Sequence, residues 1–181
     1  ILREHGLKTG RFTSPHLVRL NERMALDGEP VSDEQLVSVY ADIEPILEFV
    51  DQELAEAGDS PLTFFEALAV LGFAVFADAP VDVLVLEVGM GGAWDSTNVA
   101  DGDVAVFTPI GLDHMDRLGN TVEEIAETKS GIIKTGAIVV SSKQSSEALA
   151  VLERVSNASA ESFKLEGRDF SIQHFEATPI G

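Results

Sequence analysis

Glu87 closes the apolar run Val83-Leu84-Val85-Leu86 and is followed by Val88-Gly89-Met90-Gly91-Gly92. A carboxylate at the exit of a buried strand is costly to desolvate unless something positive meets it there. Ligands of open parallel sheets bind in the crevice beyond the carboxyl ends of the strands. The combination reads as a metal or phosphate site built on a rigid strand. Polar residues cluster in three loops: Thr13-Ser14-Pro15-His16, then Gly89 to Asn98 with Asp95, Thr97 and Asn98, then Gly111-Leu112-Asp113-His114-Met115-Asp116. If the strands run parallel, the second and third loops open on one edge of the sheet and Glu87 and His114 converge. A carboxylate with an imidazole suits a divalent cation, although Mg²⁺ prefers oxygen and keeps several waters. Glu87, Asp113, His114 and Asp116 would equally suit a metal-dependent hydrolase that needs no nucleotide.

Each piece also has a plain structural use. Asp113-His114 can cap a turn, Gly91-Gly92 can permit one, and Ser14-Pro15 can end a strand. Lys129, near the end of a helix, is favourably placed for the helix dipole as an ordinary solvated lysine. Phe64 and Phe65 suit a core, and His5 and His174 suggest only surface.

The elements that must position these residues alternate. Residues 8–12 suggest a short strand, and Asp27-Gly28 within 21–31 signals a hairpin. Ser32-Asp33-Glu34-Gln35 reads as a capping box. Behind it Leu36, Val39, Tyr40, Ile43, Leu47, Val50 and Leu54 keep helical spacing to about residue 57. Ala57-Gly58-Asp59-Ser60-Pro61 breaks that helix, and a more uniformly apolar one covers about 63–78. Residues 82–87 and 103–108 are continuous apolar runs, as expected of a parallel sheet covered on both faces. A second capping box, Thr121-Val122-Glu123-Glu124, opens a helix to about Ser130. A third strand spans 137–141, a helix 145–157, and edge strands or a hairpin about 164–175. The pattern predicts an α/β fold with a mainly parallel sheet flanked by helices.

The chain has 181 residues, no cysteine and a formal net charge of −19. The absence of cysteine excludes disulfides and thiolate chemistry within it. The acidity argues against nucleic acid and anionic membrane surfaces as partners, and no stretch has the length and apolarity of a membrane span. A cytoplasmic protein is the expectation, with oligomeric state open. Ile1-Leu2-Arg3-Glu4-His5-Gly6 reads as the last turn of a helix with its glycine cap, and Thr178-Pro179-Ile180-Gly181 has no terminating element, so an internal fragment is expected.

Taken in order, Thr13-Ser14-Pro15-His16-Leu17, Leu62-Thr63-Phe64-Phe65-Glu66, Glu87-Val88-Gly89-Met90-Gly91-Gly92 with Asp95-Ser96-Thr97-Asn98, and Gly111-Leu112-Asp113-His114 resemble the folylpolyglutamate synthase family, including its bifunctional dihydrofolate synthase forms. So do Leu118-Gly119-Asn120-Thr121, Ile125-Ala126 and Lys129-Ser130-Gly131-Ile132-Ile133-Lys134. The likeness covers nearly the whole chain and reaches the wider superfamily of ATP-dependent Mur-type amide ligases. It implies a truncated central ATPase-like domain over residues 1–181. It also implies a parent enzyme that uses ATP and two Mg²⁺ ions to join L-glutamate to a dihydropteroate or reduced-folate carboxylate through an acyl phosphate. On the matching positions Glu87 would bridge both ions, Ser14 would hold the one nearer the nucleotide, and His114 would hold the other with a carbamylated Lys129. Thr63 and Phe65 would line the pterin pocket, and Asp95 and Asn98 would lie near the incoming substrate.

Two departures qualify the likeness. Ala93 stands where the family has arginine, which removes a possible bidentate contact to phosphate or carboxylate. No Gly-x-x-x-x-Gly-Lys-[Ser/Thr] phosphate loop occurs, and Gly6-Leu7-Lys8-Thr9 does not supply one. The carboxy-terminal glutamate-ligase domain is also expected to be missing, so the chain alone is expected to be inactive. The rival readings are a UDP-sugar peptide ligase of the same superfamily, against which Leu62-Thr63-Phe64-Phe65-Glu66 speaks, the nucleotide-independent hydrolase, and a non-catalytic remnant that binds a partner.

Overall fold

A computed structural model describes residues 1–171. His174, the last part of the expected 164–175 segment and the Thr178–Gly181 end lie outside them. The chain divides into two compact units, Ile1–Gly89 and the residues from Met90 onward.

In the first unit, a turn of 3-10 helix at Arg3–His5 ends on Gly6 in the left-handed region, as the glycine cap predicted. Strand β1 (Thr9–Phe12) follows directly, so Gly6-Leu7-Lys8-Thr9 leads into a strand and not into the helix that a phosphate loop requires. Strands β2 (Met24–Leu26) and β3 (Glu29–Pro30) form the expected hairpin. Asp27 and Gly28 take φ of 49° and 89°, the two left-handed positions of its turn. Helix α1 (Asp33–Ala57) starts where the Ser32 hydroxyl accepts from the Gln35 N–H and stops at left-handed Gly58. Helix α2 (Phe64–Asp78) leads to strand β4 (Val83–Leu86). The sheet order is β3-β2-β1-β4; β1 runs parallel to β4 and antiparallel to β2. Phe12, only 1% exposed, anchors the carboxyl end of β1 in a core with Met24, Val39, Leu68, Leu71 and Val75. Gly72 of α2 lets that ring approach, because a methyl group there would lie 2.7 Å from it.

The second unit holds strand β5 (Val104–Phe107), helices α3 (Met115–Leu118) and α4 (Val122–Ser130), strand β6 (Ile138–Ser141), helix α5 (Ser146–Ser159) and strand β7 (Ser162–Leu165). Its three strands are all parallel in the order β5-β6-β7. The Thr121–Glu124 capping box forms reciprocally at the start of α4. The first part of the expected tail segment is an edge strand, which begins at Ser162 and pairs parallel to β6.

The sheets are α/β in character, but burial on both strand faces does not hold for β5. Ala105 and Phe107 point into a core with Ile125, Val139 and Leu152, while Val104 and Val106 remain 54% and 63% exposed. All four residues are apolar, so the two-residue period of burial leaves no trace in their hydropathy. Among the described residues, no helix is long and apolar enough to cross a membrane.

Candidate functional site

The parallel register pairs Phe12 with Leu86, so β1 and β4 deliver the residues that follow them to the same edge. The Glu87 N–H donates to the Phe12 carbonyl at 3.0 Å and extends the ladder by one residue. The Ser14 N–H donates to Glu87 Oε2 at 2.8 Å, which ties the Thr13–His16 loop to the acid. Among the described residues, neither the other Glu87 oxygen nor the Ser14 hydroxyl has a partner. The strand edge thus carries two hard oxygen donors on residues tied to each other by that hydrogen bond.

The start of α2 belongs to the same edge. Phe65 packs edge-to-face on Phe12, with ring centroids 6.2 Å apart, and reaches Gly89. A methyl group on Gly89 would lie 2.2 Å from the Phe65 ring, so the glycine is what admits the aromatic there. Thr63 is the helix cap. Its hydroxyl accepts from the Glu66 N–H at 3.2 Å and donates to Glu66 Oε2 at 2.7 Å. The Thr63 hydroxyl and N–H together hold the Glu66 carboxyl below its usual range. Thr63-x-x-Glu66 is a capping box whose spacing is legible in the sequence.

The second unit gathers Asp95, Asn98 and Lys129 around the end of α4. The loop after Gly89 closes on the helix terminus. The Ala93 N–H donates to the Thr128 carbonyl at 2.9 Å, and a methyl group on Gly92 would lie 2.8 Å from the carbonyl oxygens of Thr128 and Lys129. Asn98 fastens the loop by donating to the carbonyls of Ala93 and Gly131, both at 3.1 Å, while Lys134 donates to the Asn98 carbonyl. Asp95 is 7% exposed, and its carboxylate accepts from the Met90 N–H, the Thr97 N–H and the Thr97 hydroxyl. Asp95 directs its bonds into the loop itself, whereas Asn98 bonds both within the loop and across to Gly131 after α4. Lys129 is half-buried, and among the described residues its ammonium has no partner.

His114 lies on the loop after β5 in the left-handed region, at φ 47° and ψ 42°. For a residue other than glycine this costs of order 1–3 kcal/mol, and such strain gathers at functional positions. Its N–H donates to Asp113 Oδ1 at 2.9 Å, and its Nε2 stands 3.7 Å from Asp113 Oδ2. No hydrogen bond or ion pair joins His114 to Lys129.

The donor chemistry fits Mg²⁺ better than a softer metal. Among the described residues, no three His, Cys, Asp or Glu side chains come together. A serine hydroxyl with a single carboxylate leaves most coordination positions to water and substrate oxygens, which is how Mg²⁺ is usually held.

Glu22 is an organiser that no sequence pattern announces. Its carboxylate accepts from the N–H groups of Leu17, Val18 and Arg19 at 2.8, 3.0 and 2.7 Å, shaping the loop that begins at Ser14.

The chain is similar in sequence and in fold to known proteins. The chain is 51% identical over 129 residues to the dihydrofolate synthase/folylpolyglutamate synthase of Mycobacterium tuberculosis, a match covering 70% of this chain and 26% of that protein. It is 40% identical to the corresponding Bacillus subtilis protein, over 100% of this chain and 41% of the relative. A solved structure described as an FPGS-AMPPCP-folate complex superposes with a TM-score of 0.90 at 38% identity, over 98% of this chain and 42% of that one. The chain thus spans well under half the length of these relatives. Residues 39–178 match the Mur ligase middle domain, and on that match the chain belongs to the Mur ligase middle-domain family.

Proposed function

We propose that this chain forms the metal- and acceptor-binding part of a cytoplasmic, ATP- and Mg²⁺-dependent ligase that joins L-glutamate to the carboxylate of dihydropteroate or a reduced folate. The observation that carries the reading is the open oxygen pair of Ser14 and Glu87, fixed beside Phe65 at the carboxyl edge of β1 and β4. Relatives that bear synthase names for this chemistry, one of them solved with AMPPCP and folate, support it.

In this reading ATP phosphorylates the acceptor carboxylate, releasing ADP, and the amine of glutamate displaces phosphate from the acyl phosphate to leave an amide. Ser14 and Glu87 would hold the ion nearer the nucleotide, and the resemblance assigns His114 and Lys129 to the second. Bound Mg²⁺ supplies neutralisation of the crowded phosphate oxygens. Carbamylation would serve Lys129 by replacing its lone ammonium with an anionic oxygen donor. Phe65 offers a ring face to a flat acceptor, and Thr63 holds the first turn of α2 in place beneath it. Asp95 and Asn98 act by keeping the Gly91–Asn98 loop closed on α4.

Ligation of L-glutamate to dihydropteroate and to tetrahydrofolate with MgATP tests the reading on two proteins. One is this chain alone. The other is this chain joined to the segments that flank the matched region in the Bacillus subtilis relative. Only the joined protein should form product, and Glu87→Ala should abolish it. A joined protein that folds and binds ATP yet forms no glutamyl product overturns the reading, as does nucleotide-independent phosphoester cleavage by the chain alone.

A further inference from the structure

Arg23 ends the 3-10 turn Leu20–Arg23 and is only 8% exposed, yet it has no carboxylate partner among the described residues. The acids beside it in sequence and space are committed elsewhere. Glu22 accepts the three backbone N–H groups of its loop, and Asp33 pairs with Arg19 and Asn21. In a chain with 31 acidic against 12 basic side chains, an arginine left without a counter-ion is notable in itself. Burying a cation unpaired costs several kcal/mol, in order of magnitude, unless an anion meets it.

The guanidinium is nevertheless held firmly. Its Nε donates to His16 Nδ1 at 2.8 Å, and its carbon stands 5.6 Å from the centre of the Phe64 ring. Among the described residues the two Nη atoms have no partner. Both reach solvent, because among the described residues the only fully buried side-chain polar atom lacking a hydrogen bond is Ser156 Oγ. Phe64 itself is 63% exposed, so an apolar surface borders the open fork.

We propose that Arg23 is a preset fork for the carboxylate of a small ligand whose apolar body lies against Phe64. Paired Nη–H donors match the two oxygens of a carboxylate. The packed stem, the His16 contact and the Phe64 ring remove the side-chain freedom that binding would otherwise have to freeze. The inference deepens the ligase reading, in which acceptor and amino acid are both carboxylates, and rests on it for the identity of the natural ligand.

Titration of the 181-residue chain with benzoate, without nucleotide or Mg²⁺, tests the fork separately from ligation. The readout is the Arg23 Nε–Hε resonance. Saturable movement of that signal is expected, with acetate and inorganic phosphate weaker than benzoate. Arg23→Lys, which keeps the charge and loses the fork, should weaken benzoate about tenfold, and Arg23→Gln should abolish its effect on the Phe64 amide. A wild-type Arg23 signal that does not respond to benzoate overturns the proposal, as does phosphate binding as tightly as benzoate. Failure of glutamate ligation would leave benzoate binding unchanged, so the two readings fall separately.

Discussion

Replacing Asp95 with alanine separates a loop-holding role from a substrate contact. The Asp95 carboxylate is 7% exposed and accepts three hydrogen bonds, two from the backbone N–H groups of Met90 and Thr97 and one from the Thr97 hydroxyl. The hydroxyl can re-aim once the acid is gone, but the two N–H groups cannot. A buried donor left unsatisfied costs roughly 1–3 kcal/mol, so the closed loop should lose about 2–5 kcal/mol against its open form after partial rehydration. Amide hydrogen exchange measures this directly, because protection at Met90 and Thr97 reports local opening. At about 1.4 kcal/mol per tenfold, their protection should fall by roughly 30-fold to several-thousand-fold. Amides of β6, remote in sequence from the loop, should change far less. A side chain whose business is an external ligand would leave this protection where it was. Unchanged exchange at Met90 and Thr97 in Asp95→Ala would therefore refute the loop-holding account.

Two further outcomes follow from the loops around the site. In Gly92→Ala the new methyl group meets two backbone carbonyls at 2.8 Å, neither of which can swing aside. The loop should lift from the end of α4 at a cost of about 1–3 kcal/mol, read as lost exchange protection at the Ala93 amide; full protection there would show that the approach is not limiting. Glu22 is held below its ordinary value of 4.5 by the N–H groups of Leu17, Arg19 and Val18. A carboxyl depressed on folding stabilises above its unfolded value and loses that contribution as pH falls through its lower folded value. Protection factors at Leu17, Val18 and Arg19 should thus decline on acidification below about pH 4.5, and Glu22→Gln should remove most of the pH dependence. Protection that persists unchanged through that range, or declines equally in the glutamine variant, would contradict this.

Much of the scaffold was legible because its signals are local. Ser32, Thr121 and Ser145 cap the helices that follow them, Asp27-Gly28 turns the hairpin, and the apolar runs at β4, β5 and β6 are strands. The site was legible as a set of residue types and less so as a set of roles. Thr63 and Asp95 look alike in sequence, as polar residues in candidate binding segments, but their oxygens are engaged by backbone N–H groups two to five residues away. Such bonds depend on the path of the chain, which hydropathy does not encode. The same holds for Glu22, which forms its loop through main-chain donors of any residue type, and for Arg23, marked out by the carboxylate it lacks. Exposure of Val104 and Val106 was hidden for a different reason, since a strand of four apolar residues gives no hint that only one face is covered.

The central claim is that Ser14 and Glu87 present an open oxygen pair suited to Mg²⁺. Calorimetric titration of the chain with Mg²⁺, and with Mn²⁺ as a paramagnetic reporter, tests it most directly when wild type and Glu87→Ala are run side by side. The account predicts saturable binding in the wild type, Mn²⁺ broadening centred on the Ser14 and Glu87 amides, and at least about tenfold weaker binding in the variant, as expected on losing the only anionic donor of the pair. Equal affinity in the two proteins, or a wild-type chain that binds neither ion, would contradict it.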